Sequence, residues 1–206
     1  MKNPLRYQLS EYDCGPTAML NAVAFLFERE DIPPEVIRNI MLYCLDCYGS
    51  DGVSGKSGTS CAAMMFLSNW LSGFGTVGRL PVSSRYMLGA GVNFGQNSLL
   101  RDALRRGGAA VVRLNFEGWH YVTLTGIEGD RVYLFDPYYH PAPFEGEEIE
   151  IVRDQPTRYN RIVPTRYFER EDDAVYSLGP IDTREAILVF NERTRLTEDA
   201  TVEYMI

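Results

Sequence analysis

Four residues of this chain have the types and spacings that acyl transfer requires. Cys14 stands directly before Gly15-Pro16 in "YQLSEYDCGPTAML". Proline suits a first helical turn, because its φ is already helical and its missing N–H is not needed there. Met19, Leu20, Val23 and Phe27 continue a helical stripe beyond it. Cys14 is therefore expected at a helix start. Unpaired N–H groups there carry partial positive charge and favour the thiolate, which is the nucleophilic form. Gly15 adds no side chain to obstruct the sulfur.

A cysteine nucleophile needs a base, and the chain has two histidines. His120 heads the apolar run "HYVTLTGI", whereas His140 lies in the proline-rich "YYHPAPF". A base belongs on a rigid element. That selects His120 and leaves His140 as an exposed loop residue. The base in turn needs an acceptor to fix its tautomer and stabilise the imidazolium. Asp136 ends the run "RVYLFD", just before Pro137. If 120–127 and 131–136 pair as an antiparallel hairpin around Glu128-Gly129-Asp130, His120 and Asp136 become neighbours on one edge. Gln8, six residues before Cys14, can offer a side-chain amide beside the Cys14 backbone N–H as donors to an oxyanion.

The elements that must position these groups follow from periodicity and punctuation. Helices are expected over 16–27, from Pro33-Pro34 to Tyr48, over 60–71 and over 98–106. The second carries the stripe Ile37, Ile40, Met41, Cys44, Tyr48 and is closed by Gly49; the last is closed by Gly107. The stretch "GSDGVSGKSGTS" (49–60) reads as a flexible loop bordering the cleft. Strands are expected at 109–116, 120–127 and 131–136, with others at 148–152, 161–168 and 185–190. Helices first and strands afterwards indicate an α+β fold. The chain reads as one domain, 1–206, with a mainly helical half (1–108), a mainly β half (109–190) and a tail, 191–206, that frays.

Composition narrows the classes further. With 206 residues and 45% apolar content the chain can build a proper core and is not disordered. The net charge is −8 and no basic cluster exceeds the pair Arg105-Arg106, which argues against a nucleic-acid partner. The longest apolar stretch, Ala18 to Phe27, is interrupted by Asn21 and too short to span a membrane. The N-terminus does not resemble a signal peptide, so a cytoplasmic location is expected, with Cys14, Cys44, Cys47 and Cys61 reduced. Gly55-Lys56-Ser57 matches the tail of a phosphate-binding loop, but the position that should be glycine is Ser50 and a helix, not a strand, precedes it. Cys44 and Cys47 have only Cys61 and His140 as spare partners, at spacings of no common zinc site. No cofactor and no metal are expected.

Together, Gln8, Asp13-Cys14-Gly15, His120-Tyr121-Val122 and Asp136-Pro137 resemble the motifs of papain-like cysteine peptidases. More narrowly they are similar to those of the bacteriocin-processing double-glycine peptidases, family thirty-nine of the cysteine peptidases. The matching blocks cover residues 7–27 and 109–139. The resemblance implies a papain-like fold, with an N-terminal helical part carrying the nucleophile helix and packed on an antiparallel sheet carrying the histidine and aspartate. It implies Cys14 as nucleophile, His120 as base, Asp136 as its orienting acceptor and Gln8 in the oxyanion hole. It also implies a peptide or protein substrate cut after small residues such as Gly-Gly. The chain departs from the family in lacking a transporter, in the long stretch between Cys14 and His120, and in residues 140–206, which have no obvious counterpart. The same residues would serve an acyltransferase or amidase, and a catalytically silent binding module is a further alternative.

Overall fold

The computed structural model describes residues 1–197. The helices start where capping chemistry allows. α1 (Cys14–Leu26) begins two residues ahead of Pro16, which places the cysteine in the first turn. α2 (Pro34–Tyr43) opens on Pro34 and stops well short of Tyr48, because the chain turns away at Leu45, whose φ is +59°. Its buried face is Val36 and Ile40, while Ile37 and Met41 of the expected stripe are about half exposed. α3 (Cys61–Thr76) is capped by Ser60, whose Oγ accepts from the Ala63 N–H at 3.1 Å, and runs through Gly73 rather than stopping there. α4 (Leu99–Arg105) is capped in the same way by Ser98, and Gly107 supplies a left-handed residue (φ +76°) beyond its end.

Seven strands form one antiparallel sheet: β1 (Val82–Leu88), β2 (Ala109–Asn115), β3 (Trp119–Glu128), β4 (Arg131–Phe135), β5 (Glu150–Ile151), β6 (Arg161–Pro164) and β7 (Glu185–Asn191). Their order is β1-β7-β2-β3-β4-β6-β5. The fold is thus α+β. β1 is a strand within the part expected to be mainly helical, and it pairs with β7 along its whole length. Ser83-Ser84-Arg85 in its middle hide the alternation by which a strand is recognised. β6 is shorter than expected: after Pro164 the chain coils into a short helix, α5 (Thr165–Phe168).

The sheet is covered on both faces. α1, α2 and α3 pack on one, burying Met19, Ile40, Met64 and Leu71 against Val111, Ile187 and Val189. α4, α5 and the segment around Tyr176 pack on the other, against Leu114, Val122, Leu134 and Leu188. No helix among the described residues is long and apolar enough to cross a membrane. The tail expected to fray is held as far as residue 197: Asn191 ends β7 and donates from Nδ2 to the Leu26 carbonyl at 3.1 Å, and the Leu196 N–H donates to Arg106 O at 3.0 Å. Residues 198–206 of that tail lie outside the described residues.

The hairpin of β3 and β4 contains one detail on which the site depends. Glu128 pairs with Arg131 and Gly126 with Tyr133, but Leu124 pairs with Leu134 and Thr123 with Phe135. Thr125 is an extra residue that shifts the register by one. Counted out from the turn without it, Asp136 would fall opposite Thr123. With it, Asp136 falls opposite Val122, on the face that His120 shares. A one-residue slip in a sheet exchanges the two faces, so the bulge brings His120 and Asp136 to the same side.

Candidate active site

Asp13 precedes α1 but does not cap it. Its carboxylate is used instead to fold the incoming loop, accepting from Leu9 N–H (2.9 Å), Ser10 N–H (2.6 Å), Ser10 Oγ–H (2.5 Å) and Thr17 Oγ–H (3.2 Å). Burial would push its pKa up, but these donors prevail and hold it below the usual carboxylate value. The consequence falls on Cys14: the amides at the start of α1 are left without a side-chain cap, so the positive end of the helix stays available beside the thiol. Cys14 itself is buried, 8% exposed.

Gly15 has a different role from the one its size suggested. A Cβ there would lie 2.7 Å from Thr59 Oγ1 and 2.8 Å from Thr59 Cβ. The glycine therefore lets the loop before α3 close against α1. That loop is more ordered than its composition suggests. Tyr48 and Ser54 form an antiparallel bridge, Gly55 N–H donates to Cys47 O at 2.8 Å, and Lys56 pairs with Asp51 at 2.7 Å. Cys44 is buried beneath it, with burial raising its thiol to about 12. All four cysteines are free thiols.

His120 and Asp136 meet as the hairpin requires. Nε2 of His120 lies 2.7 Å from Oδ1 of Asp136, and both residues are buried. The Cys14 thiol is close enough to the imidazole to act on its charge, and Nδ1 is the ring nitrogen that Asp136 does not engage. α1 reaches this end of β3 because it packs along the strand: Thr123 Oγ1 donates to the Ala18 carbonyl at 2.8 Å. Burial alone would lower the His120 pKa. The Asp136 charge, the hydrogen bond to it and the contact with Cys14 more than offset burial and raise the imidazole to about 10. Asp136 is the mirror case: burial pushes it up, yet His120, Tyr176 and the Tyr138 N–H hold it below its usual value. The rings of Phe116 (5.8 Å between centroids) and Tyr138 (6.4 Å) stand beside the imidazole.

His140 is not part of this cluster. It is half-buried rather than exposed, stacked on Phe144 with ring centroids 4.6 Å apart and bonded through Nδ1 to Ala142 O at 2.8 Å. Gln8 is anchored next to the site, its N–H donating to Pro137 O at 2.9 Å. Its side chain turns inward: Nε2 donates to Ser10 O at 2.7 Å, and Oε1 is buried without a hydrogen-bond partner. One N–H of the amide remains uncommitted.

Three residues of the site have no motif that could have revealed them. Asn160 clamps the Asp136 backbone in both directions, its Oδ1 accepting from Asp136 N–H and its Nδ2 donating to Asp136 O, each at 2.8 Å. Tyr176 donates its hydroxyl to Asp136 Oδ2 at 2.7 Å. Arg161 lies behind Tyr176, 2% exposed. Asn160 and Arg161 stand at the head of β6 and Tyr176 in a stretch with no periodic pattern, and none of the three has a partner that local spacing would indicate.

No protein-family model and no curated protein matches the chain. Among solved structures, it is similar to a crystal structure of a double glycine motif protease from an AMS/PCAT transporter in complex with the leader peptide. The identity is 14%, over 91% of this chain and 89% of that one, with a TM-score of 0.44. At that distance the chemistry has to be read from the side chains themselves.

Proposed function

We propose that the protein is a thiol-dependent peptidase of papain-like type, with Cys14 as nucleophile, His120 as base, Asp136 as its orienting acceptor and Gln8 as an oxyanion donor. The observation that carries this reading is the buried imidazole bonded to the Asp136 carboxylate and near Cys14 at the uncapped start of α1. A thiolate paired with an imidazolium attacks the scissile carbonyl. The oxyanion is received by the unpaired amide N–H of Cys14 and the uncommitted N–H of Gln8. The imidazolium then protonates the leaving amine, the acyl group remains as a thioester on Cys14, and water activated by His120 releases it. Small residues such as Gly-Gly before the cut are the substrate preference that the motif resemblance suggests.

The test is a peptide library with Gly-Gly, Ala-Gly and bulky residues before the scissile bond, with Cys14→Ala as the blank. Cleavage by the wild type after the small residues, absent in the blank, is expected. Gln8→Ala is expected to reduce turnover by about 10- to 1000-fold, as for loss of one oxyanion donor. Equal behaviour of wild type and blank on every peptide overturns the reading. Release accelerated by added amines or thiols instead of water assigns the same residues to an acyltransferase.

A further inference from the structure

We propose that Tyr176, backed by Arg161, is a positioning residue for the reaction: its hydroxyl holds the carboxylate oxygen of Asp136 that His120 leaves free, and so fixes both the rotation and the charge of that carboxylate. The inference rests on the peptidase reading above. It adds to that reading two residues from the part of the chain that the recognisable motifs do not reach.

The geometry is complete around one carboxylate. Oδ1 of Asp136 faces His120 Nε2 at 2.7 Å and also accepts from the Tyr138 N–H at 2.8 Å. Oδ2 accepts from Tyr176 Oη–H at 2.7 Å. With both oxygens committed, rotation about the last side-chain bond would break hydrogen bonds to a buried charge. Tyr176 is itself held rigidly. It is fully buried, and its φ of +60° is uncommon for a residue with a Cβ. The end of β2 maintains that conformation: Tyr176 N–H donates to Asn115 O and Asn115 N–H donates to Ser177 O, both at 2.8 Å. A strained backbone kept at a buried site by its surroundings points to a requirement for the side chain it presents.

Arg161 supplies the remaining charge. Its guanidinium is buried and donates to the carbonyls of Asn160 (2.9 Å) and His140 (3.3 Å), while Nε–H has no partner. It also lies close enough to Tyr176 for its charge to act on that side chain. The tyrosine hydroxyl thus donates to an anion, with a buried cation close by. With Cys14 as thiolate, the row Cys14, His120, Asp136, Arg161 alternates in sign and sums to zero, with Tyr176 beside its last two members.

Tyr176→Phe removes only that hydroxyl. The expected result is a fall of about tenfold or more in kcat with KM within about twofold, from loss of a charge-assisted hydrogen bond. The carboxyl carbon of Asp136, followed by 13C NMR, is expected to titrate at higher pH than in the wild type, since a hydrogen bond to the ionised form has been lost. A residue that merely fills space would not move that titration. Arg161→Gln keeps the hydroxyl and removes the charge, and should move it in the same direction; it also serves if Tyr176→Phe does not fold. An unchanged Asp136 titration in the folded variants overturns the proposal. If wild type and Cys14→Ala are equally inert on every peptide, the peptidase reading falls on that result alone, and the Asp136 titration still decides whether Tyr176 holds the carboxylate.

Discussion

The pairing of His120 with Asp136 makes the pH behaviour of the site calculable in sign. His120 is raised from 6.5 to about 10, so its contribution to stability is complete below pH 6.5 and is lost as pH rises through about 10. Asp136 is held below 3.8, so its contribution is complete above pH 3.8 and is lost as pH falls through its lower folded value. The pair therefore stabilises the fold most between those limits. Asp136→Ala leaves a buried imidazole without its counter-charge and should destabilise the protein by about 3–5 kcal/mol at pH 6. Denaturant unfolding at several pH values tests this: the gap between wild type and variant should narrow above pH 10, and a gap that does not vary with pH would refute the ion pair as its source. In Asp136→Asn, burial becomes the dominant influence on His120, so its imidazole should titrate lower than in the wild type by NMR.

At the scale of elements, two close contacts place the nucleophile: α1 against β3, and α1 against the loop before α3. The second depends on Gly15, where a Cβ would stand 2.7 Å from Thr59 Oγ1. Gly15→Ala should cost about 1–3 kcal/mol by overpacking. In a Thr59→Gly background, where the obstructing side chain is gone, the same change should cost much less. Denaturant unfolding of the four proteins in this cycle measures the coupling, and additive effects would show that Thr59 is not what the methyl group meets. The bulge at Thr125 belongs to this scale too, because it is an element's register, not a residue's chemistry, that turns Asp136 toward His120.

For the whole molecule, the last strand in sequence lies inside the sheet. β7 pairs with β1 on one side and with β2 on the other, and all seven of its residues are buried. The chain must therefore be made as far as Asn191 before the sheet can close, and Asn191 then ties β7 back to the end of α1. A chain ending at residue 184 should lose cooperative thermal unfolding by circular dichroism, while one ending at 197 should keep it. A cooperative transition in the shorter chain would mean that β1 and the core around α3 do not need β7.

The sequence by itself determined the local parts of this protein. Cys14 at a helix start, the hairpin around residue 129 and the α+β order follow from proline and glycine placement and from the period of apolar residues, all of which act over a few neighbours. Periodicity failed in β1, where Ser83-Ser84-Arg85 interrupt it, and in α2, where the helix ends at Tyr43 although apolar residues continue at helical spacing. Only the tertiary structure decided that Thr125 bulges, that Thr59 fills the space Gly15 leaves, and that Asn160, Arg161 and Tyr176 gather around Asp136. The last two are lateral contacts between segments that lie 24 to 44 residues apart. Around Asp136 the physical cause is the burial of a charged pair, which must find donors wherever the fold brings them, and no local pattern records where that will be.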